Sequence, residues 1–190
     1  MLLKLPTPRL PLACCVATAF GLLAAPALAD DSRDYSRWGD RIEARLKSYQ
    51  EVPAVSSVAS GRFKAHVDNA SQTLSYELSY SGLEGTVTQS HIHFGQRGVN
   101  GGITIWLCQT ATNPSPVPTT PQCPLSPSAT VTGTLTSANV TPNPGAVAQG
   151  IAAMELAKVL AAIRAGAAYV NVHSSKFPGG EIRGQLRDDD

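Results

Sequence analysis

Short runs in which apolar and polar side chains alternate recur along this chain, and they restrict it to a β architecture more firmly than any other feature. Ile42, Ala44 and Leu46 alternate with Glu43, Arg45 and Lys47. Phe63, Ala65 and Val67 alternate with Arg62, Lys64, His66 and Asp68, and Leu74, Tyr76, Leu78 and Tyr80 keep the same beat. A period of two sends successive side chains to opposite faces of a pleated strand, so each run reads as a half-buried strand. Glu51-Val52-Pro53 ends the first run, because proline donates nothing to a ladder. Asp68-Asn69-Ala70-Ser71 is turn chemistry, which makes the next two runs a hairpin. Further strands are predicted over the β-branched stretch leading into His91–Phe94, then over Ile103–Leu107, Thr130–Leu135, Tyr169–Ser174 and Glu181–Leu186. One segment breaks the pattern. Ile151, Met154, Leu156, Val159, Leu160 and Ile163 recur at helical spacing, and Gly166 suits a C-terminal cap, so Ile151–Ala165 is predicted to be one short helix. About eight strands and one short helix near the C-terminus make an all-β chain, an antiparallel sandwich with Greek-key-like links.

The strand at His91-Ile92-His93-Phe94-Gly95 carries the most chemistry. His91 and His93 share one face, while Ile92 and Phe94 point to the other, toward a core. Two imidazoles at that spacing reach a single metal ion. A third histidine, His173, ends the strand-like run Ala168-Tyr169-Val170-Asn171-Val172, so three of only four histidines occupy strand positions. If the trio converges, three neutral imidazoles in a T-shaped or trigonal array suit copper, with zinc as the alternative. Zinc catalysis would also want a carboxylate base, and Glu181 is the candidate. Glu181 and Arg183 flank Ile182 on one face of the last strand. They read either as a second shell that orients a histidine or as a cross-strand ion pair, with Glu51 as a further partner. His66, among Arg62, Lys64 and Asp68, reads as a surface residue. No P-loop, nucleophile elbow or dinucleotide fingerprint is present.

The first 29 residues read as a cleaved signal peptide. Lys4 and Arg9 precede a mostly apolar stretch, and Ala27-Leu28-Ala29 is a small-residue cleavage site. Export to the periplasm or medium follows, with no membrane insertion after cleavage. Residues 30–41 read as a flexible lead-in and 42–187 as one domain. With Lys4 and Arg9 gone, the 15 basic residues of the whole chain fall below the 14 acidic ones, and no basic stripe remains to bind nucleic acid. Cys14 and Cys15 leave with the signal. Cys108 and Cys123 then form an even pair in an oxidising compartment, where a disulfide is expected. They bracket much of a proline-rich insert, 109–129, that forms neither a helix nor a central strand.

Four blocks resemble the CHRD domain, a module named from chordin that also occurs as an exported bacterial stand-alone protein. They are Glu51-Val52-Pro53 with Gly61; His91–Gly95 with Gly98 and Asn100-Gly101; Tyr169–His173; and Pro178–Leu186. The resemblance spans about Ile42 to Leu186 and implies an extracellular module; the insert with Cys108 and Cys123 departs from it. The His91-x-His93 strand is also similar to the copper-ligand strand of copper–zinc superoxide dismutase, but His66 alone cannot complete that enzyme's zinc half. The chain is therefore expected to be an exported binding protein that holds copper through His91, His93 and His173. A protein-interaction module without metal, its partner another exported protein, is the alternative, and a dismutase-like oxidoreductase stands third. Enzymatic activity is not the favoured reading.

Overall fold

A computed structural model describes residues 41–188; the predicted signal peptide, nearly all of the predicted lead-in and the last two aspartates lie outside the described residues. Nine strands follow in chain order: β1 (Arg41–Lys47), β2 (Ser60–Asp68), β3 (Thr73–Ser81), β4 (Val87–Phe94), β5 (Gly102–Cys108), β6 (Ala129–Leu135), β7 (Ala168–Ser174), β8 (Ile182–Gln185) and β9 (Arg187–Asp188). Every strand pairing is antiparallel. The order across the sheet is β5-β4-β7-β8-β1-β2-β3-β6, with β9 added beside β1.

The sheet folds back on itself into a nearly closed sandwich. Between β8 and β1 the ladder narrows to one pair, Lys47 opposite Arg183. The hydroxyl of Tyr76 in β3 donates to the Leu107 carbonyl of β5, 2.5 Å away. Those strands lie near opposite ends of the order, so that bond requires closure. Consecutive β3 and β4 part company, β3 running beside β6 and β4 beside β7, which is a Greek-key-like exchange between layers. The alternating runs do what period two demands. Ile42, Ala44, Leu46, Phe63, Ala65, Val67, Leu74 and Leu78 meet Ile92, Ile105, Leu107, Val170, Val172 and Ile182 in one core.

The helical segment differs from expectation. Helix α1 (Pro144–Ala148) precedes α2 (Leu156–Arg164), so there are two short helices. Gly150 (φ +95°) and Met154 (φ +68°) adopt left-handed backbone, and this delays the predicted helix from Ile151 to Leu156. Met154 is 60% exposed rather than part of the apolar face. Helix α1 starts with Asn143, whose side chain accepts from Gly145 N–H, followed by proline at the first turn. From Gln109 to Ser128 the proline-rich insert holds isolated β-bridges but no helix or extended strand, and its last residue, Ala129, opens β6. The Gln109 side chain binds the insert on both sides, Oε1 accepting from Ser115 N–H and Nε2 donating to the Thr120 carbonyl. Cys108 and Cys123 are joined by a disulfide. Among the described residues no helix is long and apolar enough to cross a membrane.

Candidate metal centre

Strand register brings the three histidines together. In the β4–β7 ladder, Gln89 lies opposite His173, His91 opposite Asn171 and His93 opposite Tyr169. All six therefore share one face, while Ile92, Val170 and Val172 turn into the core. A sheet face turned away from the core is ordinarily wet. Here it is roofed: His91 is 0% exposed, and His93 and His173 are 7% exposed each. Trp106 in β5, opposite His91, packs edge-on with ring centroids 4.3 Å apart. Tyr169 stacks on His93 at 4.7 Å, and the His91 ring lies 5.0 Å from that of His173 and 5.4 Å from that of His93. One ring nitrogen from each histidine lies within 4.8 Å of the others.

Backbone carbonyls set the tautomers. His93 Nδ1 lies 2.9 Å from the Gly101 carbonyl, and His173 Nδ1 lies 2.9 Å from that of Pro178. An N–H at each Nδ1 satisfies these acceptors and leaves the Nε2 lone pair facing inward. Gly101 makes its contact possible, because a Cβ there would stand 1.7 Å from the Phe94 oxygen. Asn171 Oδ1 lies 3.1 Å from His93 Nε2; with the proton on Nδ1, the amide must turn its NH2 toward Nε2 to satisfy that lone pair, and a metal ion would displace it. Nε2 of His173 and both nitrogens of His91 are buried with no partner in good hydrogen-bonding geometry, although the Asn171 side chain lies near enough to His91 to oppose part of the downward shift.

Burial holds all three rings in the neutral form. Desolvation drives His91 well below the ordinary histidine range, His93 to about 4 and His173 downward. Their mutual repulsion adds to this at His91. Neutral imidazole is the ligand form, so no proton need leave before a metal arrives. A trigonal ion at metal–nitrogen distances near 2.0 Å would hold its ligand atoms about 3.5 Å apart, which each ring reaches by moving less than roughly 1 Å. The residues present therefore fit a three-coordinate ion. Among the described residues this is the one such ligand cluster, and no carboxylate or thiolate joins it.

The charged residues near the site take roles other than those expected. No Glu51–Arg183 or Glu181–Arg183 ion pair forms. Instead Arg183, 2% exposed, donates to Asn100 Oδ1 and to the Gln96 and Val99 carbonyls, while its guanidinium lies over the Tyr169 ring. Strand β8 runs between β7 and β1, and its arginine is a buried brace for loop 95–101 rather than half of a cross-strand ion pair. Glu181 is fully buried; Oε1 accepts from Ser57 Oγ and Glu84 N–H, joining two loops instead of serving the histidines. The Glu51 carboxyl is also buried, and desolvation raises it to about 7 against the pull of Arg183. His66 is exposed on β2 and joins no ligand cluster, so a second metal half is not assembled around it. Asn171 and Tyr169 escaped the sequence reading as site residues. Their alternation with Val170 and Val172 places them on the His173 face and was the signal available. Trp106, Gly101 and Pro178 reach the site through tertiary register and loop closure, which leave no local pattern.

Fold and site together define an all-β module whose sheet carries a buried triple-histidine cluster. Residues 42–186 match the CHRD domain, and the chain belongs to that family. CHRD domains occur in extracellular proteins. No curated protein and no solved structure gives a match.

Proposed function

We propose that this protein is an exported CHRD module that binds one metal ion, copper in preference to zinc, through His91, His93 and His173. One observation carries the reading. Three imidazole nitrogens, both of His91 and Nε2 of His173, are buried with no hydrogen-bond partner. Buried polar atoms without partners are rare and costly, about 1–3 kcal/mol each, and a metal ion accepting one lone pair from each ring accounts for Nε2 of His173 and one nitrogen of His91. Two ligands are pre-oriented through carbonyl contacts at Nδ1, the arrangement that fixes ring orientation and raises ligand basicity. Copper leads because it suits imidazole and three neutral ligands suffice for it, whereas zinc on three histidines calls for a fourth ligand. The signal-like start of the chain and the extracellular setting of CHRD domains support export.

Calorimetric titration of the metal-free protein tests the proposal. One equivalent of copper should bind, and His93→Ala, with an unchanged circular dichroism spectrum, should lose it. Failure to take up either copper or zinc would end the reading.

A second reading, an extracellular protein-interaction module without metal, draws on the segment after β1, where Tyr49 is 70% and Val58 86% exposed. In that case the His91→Ala/His93→Ala variant would still capture its exported partner as the wild type does.

A further inference from the structure

We propose that the three-histidine site selects the monovalent cuprous ion over divalent ions, with Trp106 as the wall that enforces the choice. This rests on the metal-binding reading above and goes beyond it to name the charge state of the cargo.

Three observations carry the inference. The first is charge balance. The ligand set is wholly neutral, and no carboxylate or thiolate joins the cluster among the described residues. The nearest fixed charge with an influence on His93 is the Arg183 cation, beyond Tyr169. Desolvation of an ion scales with the square of its charge, so an uncompensated divalent ion suffers about four times the penalty of a monovalent one here. The second is coordination number. Zinc on three histidines completes a tetrahedron with water or substrate. With His91 at 0% exposure and the other two rings at 7%, the roof leaves little space for that fourth ligand. A filled-shell cuprous ion is content with three nitrogens. The third is the wall itself. The Trp106 indole packs on His91 and also lines a cleft of about 340 Å³ shared with Tyr76, Thr119, Pro121 and Thr134. It therefore separates the ligand ring from solvent at the open edge between β5 and β6. An aromatic ring beside a desolvated monovalent cation adds attraction without adding a ligand charge.

The test uses the mature protein and three probes: cuprous ion delivered under anaerobic conditions against a chromogenic cuprous chelator, cupric ion, and zinc. Wild type should bind cuprous ion at least ~100-fold more tightly than zinc or cupric ion. Trp106→Ala should lower that ratio at least ~10-fold by admitting water as a fourth ligand, and Trp106→Phe should restore most of it. Indole emission gives an independent readout. The chain has two tryptophans, and the fraction quenched on cuprous loading should be the fraction missing from Trp106→Phe. Zinc or cupric binding as tight as cuprous binding would overturn the selectivity while leaving the metal site standing. An unchanged ratio in a folded Trp106→Ala protein would remove the tryptophan from the account. No uptake of any of the three ions would sink the metal-binding reading itself.

Discussion

Arg183 lies over Tyr169, its guanidinium carbon 3.4 Å from the ring centroid, and Tyr169 in turn stacks on His93 with an interplanar angle of 3°. A cation, a phenol and the imidazole of His93 thus form one pile on the roofed face of the sheet. The same arginine holds the Gln96 and Val99 carbonyls of the loop that delivers Gly101 to His93. Arg183→Lys keeps the charge but loses the planar stack and the forked donors. It should lower stability by about 2–4 kcal/mol and weaken copper binding roughly 10-fold, because the ring orientation is no longer fixed. Thermal melting and a metal titration of the variant check both; an unchanged affinity would disconnect the pile from the site.

Glu51 gives a pH signature of its own. Burial raises its carboxyl to about 7, so between its ordinary value and that point the folded chain holds more protons than the unfolded one. The associated stability is fully present at low pH and is lost as pH rises through about 7. Glu51→Gln, which cannot ionise, should therefore be more stable than wild type at pH 8, by up to about 3 kcal/mol, and similar to it near pH 4.5. Denaturant midpoints at the two pH values decide this. Equal differences at both would contradict the burial argument.

The histidines slope the other way. Their folded values are depressed by burial, so in the metal-free protein the unfolded chain takes up protons first as pH falls. Stability should be full above the unfolded histidine value near 6.5 and should decline from there toward pH 4. Measured in the Glu51→Gln background, which removes the opposing carboxyl, the denaturation midpoint should fall steadily across that window. Bound copper should raise the whole curve without flattening it, since a metal-held native site takes up no protons in this window while the unfolded chain still does.

The Cys108–Cys123 bridge closes a loop at a sequence separation of 15. Cys108→Ser/Cys123→Ser should cost on the order of 3 kcal/mol through the greater freedom of the unfolded insert. Copper stoichiometry should remain one, because neither sulfur belongs to the ligand cluster. Melting with and without a reductant, beside a metal titration, separates the two effects.

Much of this could be read from the chain. Alternation identified the strands and the core residues Phe63, Leu74 and Ile92, and it put His91 and His93 on one face. The β-branched run before His173 located the third ring. What stayed hidden came from distant segments. Arg183 read as half of a cross-strand ion pair because it alternates with Ile182 beside Glu181, yet its guanidinium reaches loop 95–101 and the Tyr169 ring instead. The roof over the histidines depends on β5 placing Trp106 opposite His91 across two register shifts, which no local pattern encodes. Helix α1 did leave a signal: Asn143-Pro144 is a capping residue followed by a first-turn proline. Five residues carry too little periodicity to stand out.

The most direct test of the central claim is elemental analysis of the protein purified natively from the cells that make it and their medium, without added metal or chelator. The account predicts one copper per chain in the wild type and none in the folded His91→Ala/His93→Ala/His173→Ala variant. Wild-type protein that carries neither copper nor zinc, or a triple variant that carries as much metal as the wild type, would contradict it.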